Sequence, residues 1–310
     1  MLTSLQKRTA QAIVNIFETG SVQGDYGNVT LIKGDSGHLT FGRSQTTLST
    51  GNLHELIKRY CDNPGARFSE HLSPFLPPLA DRDFSLDRAK HLHNLLRATA
   101  DDPVMRDTQD LFFDQTYWQP AEKSASHLGI TTPLGVAVVY DSTVHGSWSL
   151  IRDRVTSNTG SLATVGERTW IEAYVESRED WLAGHDNPVL HATVYRTQAF
   201  RRLIDLGHWG LELPLVVRGL EISTATLNAL PPGCYDGPQP GSRQLALHTP
   251  MARGLDVRLV QLGLSALGAD IKADGLFGQT SAARLKDYQK ANGLPANGVA
   301  DSALIMQLLG

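Results

Sequence analysis

The chain has 310 residues, of which 41% are hydrophobic and 19% charged, enough to bury a core in a main domain and a smaller one. Its net charge of −4 weighs against a nucleic-acid binder, which needs a basic face. No apolar run reaches the ~18 residues of a membrane span, so neither nucleic acid nor a membrane-spanning segment is expected.

The first segment, MLTSLQKRTAQAIVNIFETG, spaces Leu2, Leu5, Ala12, Ile13, Ile16 and Phe17 at helical intervals, and Gly20 stops it. It lacks the uninterrupted apolar run and cleavage site of a signal peptide. An extracellular target would then be reached by lysis, by a specialised export machine, or after loss of a leader. A polar, Gly-rich stretch follows, in which 29–33 and 38–41 read as short strands joined by the turn GDSG. Residues 53–60 return to helical spacing, 64–78 are loop-rich, and 83–100 read as a helix. The stretch 104–128 reads as one long helix or a pair, with Pro120 as a kink. The nearly all-apolar 133–144 favours a buried helix, and 168–181 and 197–206 are helices with polar faces.

The clearest break is PPGCYDGPQPG at 231–241. Prolines and glycines at this density continue neither a helix nor a central strand, so a linker is placed at 231–250. It separates a domain at 1–230 from one at 251–310. In the latter, Leu255, Val257, Val260 and Leu264 lie on a first helix closed by Gly268. Thr280 is expected to cap a second helix with Ala283, Leu285, Tyr288 and Gln289 on its inner face, and 302–309 form a third.

Glycoside hydrolysis requires one protonated and one ionised carboxyl group across the scissile bond. Glu18 stands at the end of an apolar helical face, where partial desolvation and the negative end of the helix dipole favour a carboxyl that keeps its proton. Asp35 lies in a wet turn between glycines and stays ionised. A surface glutamate and an ordinary turn aspartate remain the plain alternative. The 11 histidines form no HExxH, so no metal is expected. Ser36 in GDSG does not sit in a G-x-S-x-G nucleophile frame. Cys61 and Cys234 admit either buried thiols or one long bridge. Of the five tryptophans, most are expected in the core rather than stacked on sugars.

The order of motifs resembles the family 46 chitosanases of the lysozyme superfamily. Glu18, then GDSGHLTFG, looks like the family's catalytic glutamate, hairpin aspartate Asp35 and water-positioning threonine, Thr40. VVYDSTVHG, ending at Gly146, resembles the family's buried helix and supplies Asp141. AYVESREDW supplies Arg178 and QAFRRLIDLGHWGL supplies Arg201. The resemblance implies an aspartate held between two arginines behind the acid, inversion at the anomeric carbon, and no cofactor. The segment from LDVRLVQLGLSALG to GVAD resembles the three-helix peptidoglycan-binding domain. The implied fold is mainly α: a lysozyme-like two-lobed α+β domain with a small β-hairpin, plus a small three-helix bundle.

Asn52 stands where that family often carries an acid that holds a glucosamine amine. An amide cannot neutralise an amine. Arg43 offers a charge to an anionic group, and Tyr26 and His145 complete the candidate substrate contacts. With a wall-binding tail, this pattern makes a peptidoglycan muramidase acting on the bacterial cell wall the first expectation and a chitosanase the second. A non-catalytic wall-binding protein is the third. The expected partner is peptidoglycan or a related amino-sugar polymer, joined by an immunity protein if the chain is a toxin.

Overall fold

The computed structural model describes residues 2–32, 36–43 and 45–309, and they are mostly helical with two small antiparallel sheets. No described helix is long and apolar enough to cross a membrane. The chain divides into two compact units, one of residues 1–24 and 113–229 and the other of 25–112 and 230–310. This grouping by contact differs from the 1–230, 231–250, 251–310 division read from composition.

In the first unit, Ser4–Thr19 opens with a capping box: the Thr3 hydroxyl accepts from the Gln6 N–H while the Gln6 amide oxygen accepts from the Thr3 N–H. It ends at Gly20, which adopts φ +69°. The helix Pro133–His145 is buried from Leu134 to Ser142, so it is apolar all round rather than on one stripe. It packs against Ser4–Thr19, Gln119–Leu128, Trp148–Thr159 and Glu167–Ala183. Its start is fixed by the Glu167 carboxylate, which accepts from the N–H and hydroxyl groups of Thr131 and Thr132. A Cβ at Gly135 would stand 2.8 Å from Ile130 and 2.9 Å from the Thr132 hydroxyl, so glycine is required for this close entry.

The expected helical stretch 104–128 divides into Pro103–Phe113, a π-helical turn Asp114–Trp118, and Gln119–Leu128. Pro120 therefore sits in a first turn, where a missing N–H costs nothing, and the irregularity lies before it. Asp114 in that turn accepts from Lys7 and from the Gln11 amide (2.6 Å). Sequence reading passed over the helix Trp148–Thr159, whose only buried residues are Trp148, Ile151 and Val155. It also passed over the hairpin Leu215–Val217/Leu220–Ile222, whose turn residues Arg218 and Gly219 both have positive φ. Trp118, Trp148, Trp170 and Trp209 are buried.

In the second unit, Val29–Thr30 pairs with Thr40–Phe41, and Thr40–Phe41 with a third strand, Thr46–Thr47, that was not expected. The loop-rich 64–78 contains the short helices Ser69–Leu72, Ser73–Phe75 and Leu76–Ala80, with Pro74 and Pro77 near the starts of the last two. The expected helix 83–100 is broken at Ala89 into a 3-10 turn, Phe84–Arg88, and Lys90–Thr99.

The C-terminal segment of this unit forms Leu255–Ala266, Gln279–Ala291 and Ser302–Leu309. The second of these starts two residues earlier than expected, with Gly278 at the cap and Thr280 inside the first turn. Ala282 rather than Ala283 is buried. Two buried glutamines organise its glycine turns. The Gln261 amide donates to Asp274, Ser281 and the Leu276 carbonyl and accepts from the Gly275 N–H. Gln289 does the same for Asn297, Val299 and Gly298.

The Pro/Gly-rich run is tied down as well. Leu245 and Ala300 exchange backbone hydrogen bonds at 2.9 Å. The Gly237 and Pro238 carbonyls accept from Leu255 and Asp256. Helix Lys90–Thr99 packs on Leu255–Ala266, and Asn94 is the polar key of that contact. Its amide donates to Ser265 (2.9 Å) and the Ile271 carbonyl (2.8 Å) and accepts from the Ala273 N–H (2.9 Å). Both cysteines are free thiols. Cys234 is buried with Tyr26 and Ala100, and burial pushes its thiol up to about 11.

Asn94→Ala leaves those three partners unanswered in a dry contact. It is expected to cost about 2–4 kcal/mol of unfolding free energy in a urea titration. A loss below ~0.5 kcal/mol would mean that the C-terminal segment is not anchored there.

Candidate active site

Glu18 occupies the last turn of Ser4–Thr19, and its side chain is 29% exposed. Asp141 lies in the middle of the apolar helix Pro133–His145 with no exposed surface. A bare carboxylate there would be costly, and two guanidiniums answer it. Arg178 Nη1 donates to Asp141 Oδ2 at 2.6 Å, while its Nε donates to Ser147 Oγ at 3.0 Å. Arg196 donates to Asp141 Oδ1 from Nε (3.0 Å) and Nη2 (2.8 Å). The same Arg196 Nη2 donates to Glu18 Oε1 at 2.7 Å. Arg196 thus couples the buried aspartate to the solvent-reaching glutamate.

Burial acts to raise the Asp141 pKa. Arg196 and Arg178 outweigh it and hold the carboxyl below the usual range. Burial likewise acts to lower Arg196, but Asp141 and then Glu18 keep it above its ordinary value. His145, one turn beyond Asp141, is pushed down to about 4 by burial and by the two arginines. It is neutral at pH 7.

Arg201 was expected as the second partner of Asp141, and the structure corrects this. Arg201 pairs with Glu179 at 3.2 Å, and its side chain is 47% exposed. The reason is helical phase. In Tyr195–Asp205 the buried face is Arg196, Thr197, Phe200 and Leu203. A residue five positions after Arg196 lies well round the helix from it. Motif order pointed to Arg201, although the spacing of Arg196 from Phe200 and Leu203 carried the signal for the buried position.

Thr40 and the remaining candidates lie in the second unit, with Asn52, Arg43 and Tyr26, while Glu18, Asp141, Arg178 and His145 lie in the first. Asp35 lies outside the described residues. The Thr40 hydroxyl donates to the His38 carbonyl at 3.1 Å. The strand carrying Thr40 is clamped by Asp87, a residue sequence reading missed. Asp87 accepts from the Leu39 N–H (2.9 Å) and meets His38 Nδ1 at 2.8 Å, and the His38 ring stacks on Phe84.

Arg43 was expected to offer a free charge. It is buried, and its guanidinium is committed to Asp110 and the Tyr26 hydroxyl. Tyr26 is buried too and donates to Asp110 at 2.7 Å, and burial raises its hydroxyl pKa. Both are therefore engaged inside the second unit rather than open to a ligand. Asn52 is exposed at the start of helix Asn52–Cys61.

Residues 12–215 match the family model described as Glycosyl hydrolase family 46, and residues 253–308 match that described as "Putative peptidoglycan binding domain". A curated chitosanase from Bacillus subtilis (strain 168) is 28% identical over 234 residues, covering 70% of this chain and 83% of that protein. The native chitosanase from Bacillus subtilis MY002 superposes with a TM-score of 0.59 and 27% identity, covering 70% of this chain and 96% of that one. The GH46 chitosanase GsCsn46A of Gynuella sunshinyii, solved with chitotetraose, gives 0.58 and 27%, covering 72% and 98%.

The arginines can be told apart by stability. Arg196→Ala should cost about 3–5 kcal/mol in chemical denaturation, because it leaves Asp141 half-answered. Arg201→Ala should stay within ~0.5 kcal/mol. A reversed order would reinstate Arg201 as the partner.

The histidine gives a pH signature. The folded pKa of about 4 lies below the ordinary histidine value of 6.5, so the unfolded chain binds more protons between them. Stability should therefore fall as pH drops from 6.5 to 4. His145→Gln should flatten that slope in melting temperatures measured across the window, and an unchanged slope would refute the assignment.

Proposed function

The chain belongs to glycosyl hydrolase family 46 and is a glycoside hydrolase, and on that premise we propose that it cleaves the β-1,4 bonds of a glucosamine polymer. Glu18 acts as general acid and Asp35 as general base, with Thr40 beside the attacking water. The observation that carries the reading is the placement of Glu18 on Arg196. One carboxylate oxygen of Glu18 is held by a guanidinium that is itself fixed by buried Asp141, while part of the side chain reaches solvent.

The chemistry follows from that placement. Glu18 gives its proton to the glycosidic oxygen, and the carboxylate left behind is stabilised by the charge-assisted bond from Arg196. Asp141 and Arg178 keep Arg196 from swinging away, so Glu18 is presented in one orientation. Asp35 takes a proton from water, which attacks the anomeric carbon from the opposite face. Inversion results without a covalent sugar intermediate, as the wider carboxyl spacing of inverting enzymes allows.

Two points favour glucosamine over peptidoglycan sugars. The relatives at 26–28% identity are chitosanases, one of them a Glu-to-Ala mutant complexed with 6 GlcN. Arg43, part of the argument for an anionic substrate, is already neutralised by Asp110, whose own side chain is 47% exposed. Peptidoglycan stays as a second reading because residues 253–308 match a wall-binding family. The division into a catalytic part at 1–230, a linker at 231–250 and a binding part at 251–310 belongs to this proposal, as does action outside the cell.

The test is product analysis on chitosan and on purified peptidoglycan, with new reducing ends identified by mass. Glucosamine oligomers in the opposite anomeric form are expected. Muropeptides from peptidoglycan with chitosan intact would overturn the reading. Glu18→Gln should lower kcat on chitosan by at least about 100-fold with the fold retained, and a wild-type rate would remove Glu18 from the mechanism.

A further inference from the structure

Within the second unit, a cavity of about 430 Å³ lies where helix Lys90–Thr99 meets the C-terminal helices. Its charged lining is Lys90 and Arg97 from that helix, Asp270 and Lys272 from the loop before the second C-terminal helix, and Arg284 on that helix. Lys90 meets Asp270 at 2.8 Å, and Arg284 pairs with Asp287 at 3.0 Å while its Nε donates to the Asp270 carbonyl at 3.2 Å. Arg97 donates to the Asn94 amide oxygen at 3.1 Å and feels the Asp274 charge from beyond salt-bridge distance, and Lys272 has no carboxylate within salt-bridge distance among the described residues.

Three features mark this as a place for an anion. The side chains come from three chain segments and converge on one concavity, unlike scattered surface lysines. Arg97 is half-buried, and burial and the nearby Arg258 push its pKa below the ordinary value. Gathering cations in a partly dry place costs folding free energy that a bound anion recovers. Thr280, in the first turn of the 13-residue helix Gln279–Ala291, also lines the cavity and brings it the positive end of a helix dipole.

We propose that this cavity is an oxyanion-binding site by which the protein holds carboxylate or phosphate groups of bacterial wall polymers. The site is composite: half of it comes from helix Lys90–Thr99, outside the residues that match the wall-binding family. It explains why the C-terminal segment is fixed to that helix through Asn94. A cationic glucosamine polymer is repelled there, so anchoring and hydrolysis use different chemistries. The inference does not depend on which polymer is cleaved.

The experiment is co-sedimentation of the full chain with insoluble Gram-positive walls, before and after phosphate polymers are stripped with hydrofluoric acid. Lys272 is exposed, so Lys272→Glu and Lys272→Gln leave the packing intact, which an unchanged thermal midpoint verifies. Lys272→Glu should weaken wall binding by about fivefold or more and Lys272→Gln by less. Raising salt from about 0.05 to 0.5 M should weaken the wild type more than Lys272→Glu. Inorganic phosphate should raise the wild-type midpoint and raise that of Lys272→Glu less. Binding that survives stripping assigns the anion to carboxylates, and binding lost on stripping assigns it to phosphates. Wild-type binding by Lys272→Glu on both walls, or indifference of wild-type binding to salt, would overturn the proposal.

Discussion

A carboxylate with no exposed surface sits in an apolar helix buried nearly all round, and the arrangement of the first unit answers it. Asp141 cannot be left alone there, because removing an unpaired charge from water costs several kcal/mol. Arg178 and Arg196 come from two different helices to meet it, so the ion pair fixes the mutual placement of Pro133–His145, Glu167–Ala183 and Tyr195–Asp205. Because Arg196 Nη2 donates to Glu18 as well as to Asp141, the same device that satisfies the core also sets the candidate acid. A change to the buried pair is thus felt at once in stability and in chemistry. The neutral His145 belongs to the same neighbourhood, since two guanidiniums leave no room for a third positive charge.

The second unit solves a comparable problem in a different way. Its sheet has strands of only two residues each, too short to hold a register by backbone pairing alone. Side chains supply what is missing. Asp87 holds the backbone at Leu39 and the ring of His38, and Gln109 accepts from the Arg43 N–H while donating to the Tyr26 carbonyl. Gly42 presses against that same Gln109, where a Cβ would stand 2.3 Å from the amide oxygen. The Arg43–Asp110–Tyr26 cluster then closes the structure below the turn. Charges that looked available in the sequence are spent on holding a small sheet in place.

The C-terminal segment follows the same logic of buried amides. Gln261 and Gln289 each satisfy a glycine turn, and Asn94 reaches across from the neighbouring helix to satisfy another stretch of backbone. A side-chain amide offers both donors and an acceptor, which suits it to loops whose own groups cannot pair. The result is a segment seated on helix Lys90–Thr99 rather than held only by its Pro/Gly-rich connection, and the cationic cavity beside it is a product of that seating.

Much of this was legible in the sequence. The apolar period of 4–19, the all-apolar 133–144 and the three C-terminal helices follow from local spacing, which acts within a few turns of chain, while the candidate positions 18, 40 and 141 are proposals that rest on motif order. What local spacing could not give was anything that depends on which faces meet. Motif order placed the second arginine at 201, whereas the buried face of Tyr195–Asp205 carries Arg196. Local spacing read Arg43 and Tyr26 as open contacts because burial by Asp110 and Gln109, more than 60 positions away, leaves no local trace. It read 231–250 as a plain connection because a single backbone bridge to Ala300 has no periodicity. Local sequence determined the helices; only tertiary packing decided which charges were already answered, since that depends on partners brought together by the fold.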